Sequence, residues 1–199
     1  TAHSRNTPPM RPANAPAIKL AQIREQGARV ILCEPTLAAR NAACAAVQEQ
    51  TGAELIHPYD DARVIAGQGT AALELVEQAG PFDAVIAPVS GGGLLSGTAI
   101  ATHGLDPAVR VLGGEPAQAA DAHASLRRGA LVTDIIPDTI ADGLRAQLCA
   151  RTYAILRAHA VGAGVDARHS TTLGVDLVYA AVPLDPDRLD GSIVRIATR

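Results

Sequence analysis

Three observations predict a doubly wound α/β fold around a parallel sheet. Short apolar segments rich in β-branched residues alternate with helical patterns of ten or so residues, the order of right-handed βαβ units. The run Ala84-Val-Ile-Ala-Pro-Val89 reads as a fully buried strand. It stops at Ser90, three glycines follow, and Leu94 to His103 reads as a helix closed by Gly104. Sheets of this kind bind ligands beyond the carboxyl ends of their strands, where this glycine loop and Glu115 would both lie.

The elements follow in order. Pro8, Pro9, Pro12 and Pro16 predict an irregular entry segment. Ile18, Leu20, Ala21 and Ile23 then roughly follow helical spacing, and Gly27 is a natural stop. Ala28 to Cys33 reads as a strand. Thr36 can cap an alanine-rich helix from Leu37 to about Gln50 that closes at Gly52. Glu54 to His57 reads as a second short strand. Pro58 to Thr70 reads as a connection with turn chemistry at both ends, before a helix of about Ala71 to Gln78 that Gly80-Pro81 breaks. Beyond the central strand and helix, Asp106-Pro107 turns the chain into a strand over Val109 to Gly113. Ala117 to Arg128 predicts a helix ended by Gly129, Thr139 to Gly143 a polar turn, and Ala146 to His159 another helix. From about Val161 the periodicity weakens, and Val175 to Val182 reads as a strand that does not fit the preceding scheme.

Bulk properties exclude several partners. The 199 residues are 48% hydrophobic with net charge −3, which points to a soluble globular protein with no nucleic-acid or membrane partner. No apolar run approaches the roughly 18 residues that span a bilayer, and the first residues lack a signal-peptide stretch. Cys33, Cys44 and Cys149 are isolated, so a cytoplasmic protein with reduced, buried thiols is expected. One Phe, three Tyr and no Trp argue against base-stacking platforms. Lys19 is the only lysine, so chemistry that needs a lysine must use it or do without.

The glycine loop admits more than one reading. Glycines between a strand and a helix N-terminus let the backbone approach a ligand, and the unpaired N–H groups and helix dipole favour an anion. The bland alternative is tight strand-to-helix packing, but three adjacent glycines lose backbone entropy with no side-chain packing in return. A dinucleotide site is one functional reading. Gly91-x-Gly93-x-x-x-Gly97, with Glu115 about 20 residues on to hold ribose hydroxyls, imitates that fingerprint. Its third glycine is one place late, and the loop does not open the fold.

The second reading comes from resemblance. Pro88-Val-Ser90-Gly-Gly-Gly-Leu94-Leu-Ser-Gly97 resembles the phosphate-binding loop of pyridoxal-phosphate enzymes of the serine racemase and threonine dehydratase family, which have the tryptophan-synthase-beta-like fold. Ala13-Asn-Ala-Pro-Ala-Ile-Lys19-Leu, Cys33-Glu-Pro-Thr36, His57-Pro-Tyr-Asp-Asp61, Val64-Ile-Ala-Gly-Gln-Gly-Thr70, Gly114-Glu115-Pro116 and Thr139-Ile-Ala-Asp-Gly143 match further family segments in order and spacing. The resemblance covers about Met10 to His159. It implies part of a small domain over 1–57, part of a large cofactor-binding domain over 58–160, and a divergent tail over 161–199.

The resemblance further implies that the backbone N–H groups of Ser90, Gly91, Gly92, Gly93 and Leu94 hold the phosphate of pyridoxal 5'-phosphate, with Gly143 beside the cofactor ring. It maps the family's divalent-cation ligands onto Glu115, the Ala119 carbonyl and Asp121. Such oxygen ligands suit Mg²⁺, Ca²⁺ or Mn²⁺. The bland alternative is that Glu115 and Asp121 are ordinary charges at a helix start. His57, His103 and His123 are expected to be surface or capping residues. The implied substrate is a small amino acid, serine or threonine, and intact relatives are expected to be homo-oligomeric.

The departures are as informative. The family's lysine lies in a Ser-x-Lys-x-Arg-Gly segment with no match here, and the Ser-Ser-Gly-Asn-His segment that binds the substrate carboxylate is also unmatched. Lys19 matches a small-domain helix lysine and is expected to be solvated. After residue 160 there is no counterpart of the Glu-Pro-Ser/Thr-Gly-Ala or Ser-Gly-Gly-Asn segments. The expectation is therefore the middle of such an enzyme with foreign ends, as truncation with altered reading frame would produce. It would have no catalytic residue of its own and would expose sheet surface prone to aggregation. A non-catalytic remnant, or a subunit needing a partner chain, is the alternative.

Overall fold

The computed structural model describes residues 10–13, 15, 17–139, 141–159 and 162–164. They divide between Ile56 and His57 into two units.

In the first unit, β1 (Met10–Pro12) and β2 (Ile31–Cys33) pair in parallel, with Met10 opposite Ile31 and Pro12 opposite Cys33. The proline-rich entry is thus partly ordered into a strand: the Ala13 N–H just past Pro12 donates to the Cys33 carbonyl at 2.8 Å. Helix α1 (Ala17–Glu25) connects the strands and ends before Gly27, whose φ of +77° is the left-handed conformation that favours glycine. Local chemistry also delimits α2 (Leu37–Thr51). Thr36 Oγ1 accepts the Ala39 N–H at 3.1 Å, and left-handed Gly52 donates its N–H to the Gln48 carbonyl at 2.8 Å. Glu54 to His57 is not a strand. Instead, His57 Nδ1 accepts the Asp60 N–H at 2.9 Å and bends the chain directly after Pro58.

The second unit holds a three-stranded parallel sheet in the order β3 (Ala84–Pro88), β4 (Arg110–Gly114), β5 (Gly162–Gly164). Val175 to Val182 lies outside the described residues. Strand β3 is not buried on both faces as expected. Ala84, Val85 and Ala87 are buried, but Ile86 is 42% exposed, because among the described residues nothing covers its side of β3, which lies at an end of the strand order. Helix α4 (Gly93–Leu105) returns the chain from β3 to β4 and continues through Gly104, with Asp106 closing it. After β4 a 3₁₀ turn at Ala117–Ala119 precedes α5 (Asp121–Arg128), which ends at left-handed Gly129 as expected. A second 3₁₀ turn spans Asp142–Leu144, and α6 (Ala150–Ala158) leads to β5. The core comprises Ala87, Val89, Leu95, Ala99, Val111, Ala122, Leu148 and Leu156, with Leu126, Leu131 and Tyr153 packed against it.

Helix α3 (Ala62–Ala79) differs most from expectation, beginning nine residues earlier than the predicted Ala71. Gly67 and Gly69 read as breakers, but the Asp61 carboxylate caps the helix by accepting the Arg63 N–H at 2.8 Å. Gly69 is then used for close approach. A Cβ on Gly69 would lie 2.9 Å from the Gly97 carbonyl oxygen, and one on Gly97 would overlap the Ile65 carbonyl oxygen and lie 2.6 Å from the Gly69 nitrogen. α3 and α4 cross backbone to backbone at this glycine pair.

Candidate functional site

The strand-to-helix junction Ser90–Leu94 is built from both sides. Val89 donates its N–H to the Gly114 carbonyl at 2.8 Å and ties the loop to the end of β4. Gly92 has φ +87°, and a Cβ there would meet Leu148 Cδ2 at 2.6 Å and Thr152 Cβ at 2.8 Å. A Cβ on Gly91 would overlap the Tyr59 ring, and one on Gly93 would lie 2.9 Å from Tyr59 Cβ. Packing therefore accounts for the missing side chains of all three glycines. It leaves their amides unused: among the described residues, no acceptor meets the N–H groups of Gly91, Gly92, Gly93 or Leu94. Three of these four residues are buried and Leu94 is half-buried, and their N–H groups cluster at a helix N-terminus, where the dipole favours negative charge.

Glu115 and Asp121 follow β4 and are 1% and 3% exposed. The Glu115 carboxylate caps α5, accepting the His123 N–H at 2.6 Å and the Ala122 N–H at 3.2 Å. Asp121 Oδ2 accepts the Leu148 N–H at 2.8 Å. Burial pushes the Glu115 carboxyl up to about 7; its two N–H partners oppose the rise, and the negative charge of Asp121 adds to it. Burial likewise raises the Asp121 carboxyl, against the pull of the Leu148 N–H. Ala119, the third residue of the expected cation set, is buried in the intervening 3₁₀ turn. Among the described residues no cluster of three His, Cys, Asp or Glu side chains forms a metal cage. A cation here would combine two carboxylates with backbone oxygen and water.

The other predicted residues are placed plainly. Gly143 is exposed in its 3₁₀ turn with nothing within 4 Å of a Cβ position, so packing does not require a glycine there. Lys19 lies on α1 and is half-buried rather than fully solvated. Cys33, Cys44 and Cys149 are half-buried, not buried as expected. His57 caps a turn as expected, and its ring meets Tyr59 edge-on at 4.6 Å. His103 Nδ1 lies 2.9 Å from His159 Nδ1, and its Nε2 donates to the Val109 carbonyl at 3.0 Å. An apolar groove of about 370 Å³ lies among Ile65, Leu73, Ile100 and Ile155, and neither the glycine loop nor the carboxylates line it.

Sequence reasoning missed four participants: the Ser90 side chain, Tyr59, Leu148 and Thr152. Tyr59 carried the one available signal, an aromatic residue in a chain nearly devoid of them. The dinucleotide reading fails on geometry. Gly97 serves the helix crossing, and Glu115 is turned inward onto α5 rather than toward a ribose.

Comparison with known proteins settles the family. The family model described as "Pyridoxal-phosphate dependent enzyme" matches residues 10–171. A beta-hydroxyaspartate dehydratase from Paracoccus denitrificans is 45% identical over 148 residues, 74% of this chain and 47% of that protein. The serine racemase of Arabidopsis thaliana is 44% identical, covering 73% and 44%. Maize serine racemase superposes with a TM-score of 0.75 at 40% identity, covering 77% of this chain and 47% of the other. A threonine deaminase from T.th. superposes with a TM-score of 0.72 at 46% identity, covering 77% and 51%. The chain spans about half the length of the curated relatives it matches. With this fold, this loop and these relatives, the chain belongs to the pyridoxal-phosphate dependent enzymes, in the branch that holds serine racemase, threonine deaminase and hydroxyaspartate dehydratase.

Proposed function

We propose that Ser90–Leu94 holds the phosphate of pyridoxal 5'-phosphate and that the chain carries this part of an ammonia-lyase or racemase acting on a β-hydroxy amino acid. The single observation behind the proposal is the row of N–H groups at the start of α4 that meet no acceptor among the described residues. A dianion fits such a row because several short N–H contacts at a helix N-terminus need no side-chain charge. The substrate class is supported by what the relatives are named for. Serine, threonine and hydroxyaspartate all carry a hydroxyl on the carbon next to the α-carbon.

When bound, the cofactor supplies an electron sink that stabilises the carbanion left by loss of the α-proton. Expelling the β-hydroxyl as water would leave an enamine, whose imine form water hydrolyses to ammonia and a 2-oxo acid; returning the proton to the opposite face of the α-carbon would give the other enantiomer. This chain's residues anchor and orient. Ser90–Leu94 fixes the phosphate end, and Gly143 leaves the polar turn open to approach by the ring. Glu115 and Asp121 fit a divalent cation because both carboxylates are buried and the negative charge of Asp121 weighs against ionising Glu115, a cost that a cation would relieve. Lys19, the only lysine of these 199 residues, lies outside the family's attachment motif, which supports the reading that this stretch does not itself supply the amine that holds the cofactor.

Titration of the purified chain with pyridoxal phosphate, followed by calorimetry and ³¹P chemical shift, tests the reading. One equivalent should bind, Gly92→Ala should abolish binding, and serine or threonine should release no ammonia. Binding indifferent to Gly92→Ala overturns the loop assignment. An absorbance band of lysine-bound cofactor that disappears in Lys19→Ala overturns the inactivity.

A further inference from the structure

The proposed phosphate loop and the carboxylate pair follow different strands, yet one segment, Ala146–Thr152, bonds to both. At its start, the Ala146 N–H donates to Ser90 Oγ at 2.9 Å, and Ser90 Oγ donates back to the Ala146 carbonyl at 3.1 Å. In its middle, the Leu148 N–H donates to Asp121 Oδ2 at 2.8 Å, while the Leu148 side chain, 4% exposed, fills the space against Gly92. At its end, Thr152, fully buried, donates its hydroxyl to the Gly91 carbonyl at 2.9 Å. Every one of these bonds joins residues far apart in sequence, so none is a by-product of local helix geometry.

We infer that Ala146–Thr152 couples the two halves of the site, so that a divalent cation at Glu115 and Asp121 tightens the hold of Ser90–Leu94 on phosphate. Phosphate tightens the cation by the same factor, as linkage requires. Thr152 and Ser90 act as positioning residues. This inference rests on the reading of the loop and the carboxylates given above.

The physical basis is shared ordering. Residues 145–149 carry no regular secondary structure, so their backbone is held by contacts such as these and not by a helix or strand ladder. A cation held by Asp121 fixes that carboxylate in place, and with it the Leu148 N–H that bonds to it. Leu148 then stays against Gly92, which keeps the amides of Gly91–Leu94 aimed together. Whichever ligand arrives first orders the segment, and the second finds it already ordered.

The experiment measures the affinity of the chain for inorganic phosphate with and without Mn²⁺, and of Mn²⁺ with and without phosphate. Free Mn²⁺ is read by electron paramagnetic resonance and phosphate by calorimetry. Each ligand should strengthen the other by the same factor, in the range of roughly 5- to 100-fold. Amide hydrogen exchange across 146–152 should slow with either ligand alone. Thr152→Val should bring the factor to near one, and Thr152→Ser, which keeps the hydroxyl, should restore it. Should Thr152→Val not fold, Ser90→Ala breaks the other end of the segment and should also bring the factor to near one. If both ligands bind but ignore each other, or the factor survives in Thr152→Val or Ser90→Ala, the coupling is wrong while the site stands. Failure of phosphate to bind the wild-type chain overturns the loop assignment, and the coupling with it.

Discussion

The two units of this chain use similar ingredients with different success. Each has parallel strands and helices, but no residue of the first unit whose burial is described is buried, whereas the second holds a core that includes Ala87, Leu95 and Leu156. Ile18, Leu32, Leu55 and Ile56 of the first unit are 68%, 48%, 47% and 60% exposed. In the second unit, glycines at crossing points let helices and strands approach until side chains such as Leu95 and Leu156 are sealed from water. Composition alone does not make a core. Close approach does, and it depends on a few positions having no side chain.

Substitutions can break that contrast. The largest effect is expected at Gly97. Alanine is the better helix former, yet its Cβ would overlap a backbone carbonyl of α3 that cannot rotate away. Gly97→Ala should destabilise the second unit by about 3 kcal/mol in urea unfolding. Gly67→Ala, with nothing within 4 Å of its Cβ position, should stabilise α3 by about 0.5–1 kcal/mol. Equal effects at the two glycines would sink the crossing argument.

A pH effect comes next. The folded chain holds a proton on Glu115 up to about 7, whereas an unfolded glutamate releases it near 4.5. Stability from this group is therefore complete below about 4.5 and is lost as pH rises through about 7, a loss on the order of 3 kcal/mol. The urea midpoint of the second unit should fall across that window. Glu115→Gln should flatten the profile, and, if the proposed cation site holds, Mg²⁺ should restore stability at the alkaline end by binding the ionised pair. A midpoint that rises with pH in the metal-free protein would contradict the burial of this carboxyl. The smallest effect is expected in the first unit, where Ile18→Ser should change stability by less than about 0.5 kcal/mol. A larger loss there would mean that the first unit has more core than its exposure indicates.

How much was legible in the sequence follows the same division between local and distant causes. The limits of α2 were readable because Thr36 and Gly52 act on their own helix through bonds within a few residues. The end of α5 at Gly129 was readable for the same reason. The start of α3 was not, because Gly67 and Gly69 look like punctuation until α4 is laid across them. The loop Ser90–Leu94 and the carboxylates of Glu115 and Asp121 could be singled out from resemblance to short family segments, which is a local property of the chain. The hydroxyls of Ser90 and Thr152 could not, since their partners lie 56 and 61 residues away.

The meeting of Gly69 and Gly97 also bears on how this gene can drift. Every glycine codon begins with two guanines, so any missense change at either site installs a Cβ or something larger. At most surface positions such changes are silent for folding, but at these two the first neutral-looking step is already closed. A lineage carrying this helix pair should keep both glycines even after it has lost the use of the proposed phosphate loop. A degenerating copy should therefore show its earliest damage in the loop, before the crossing.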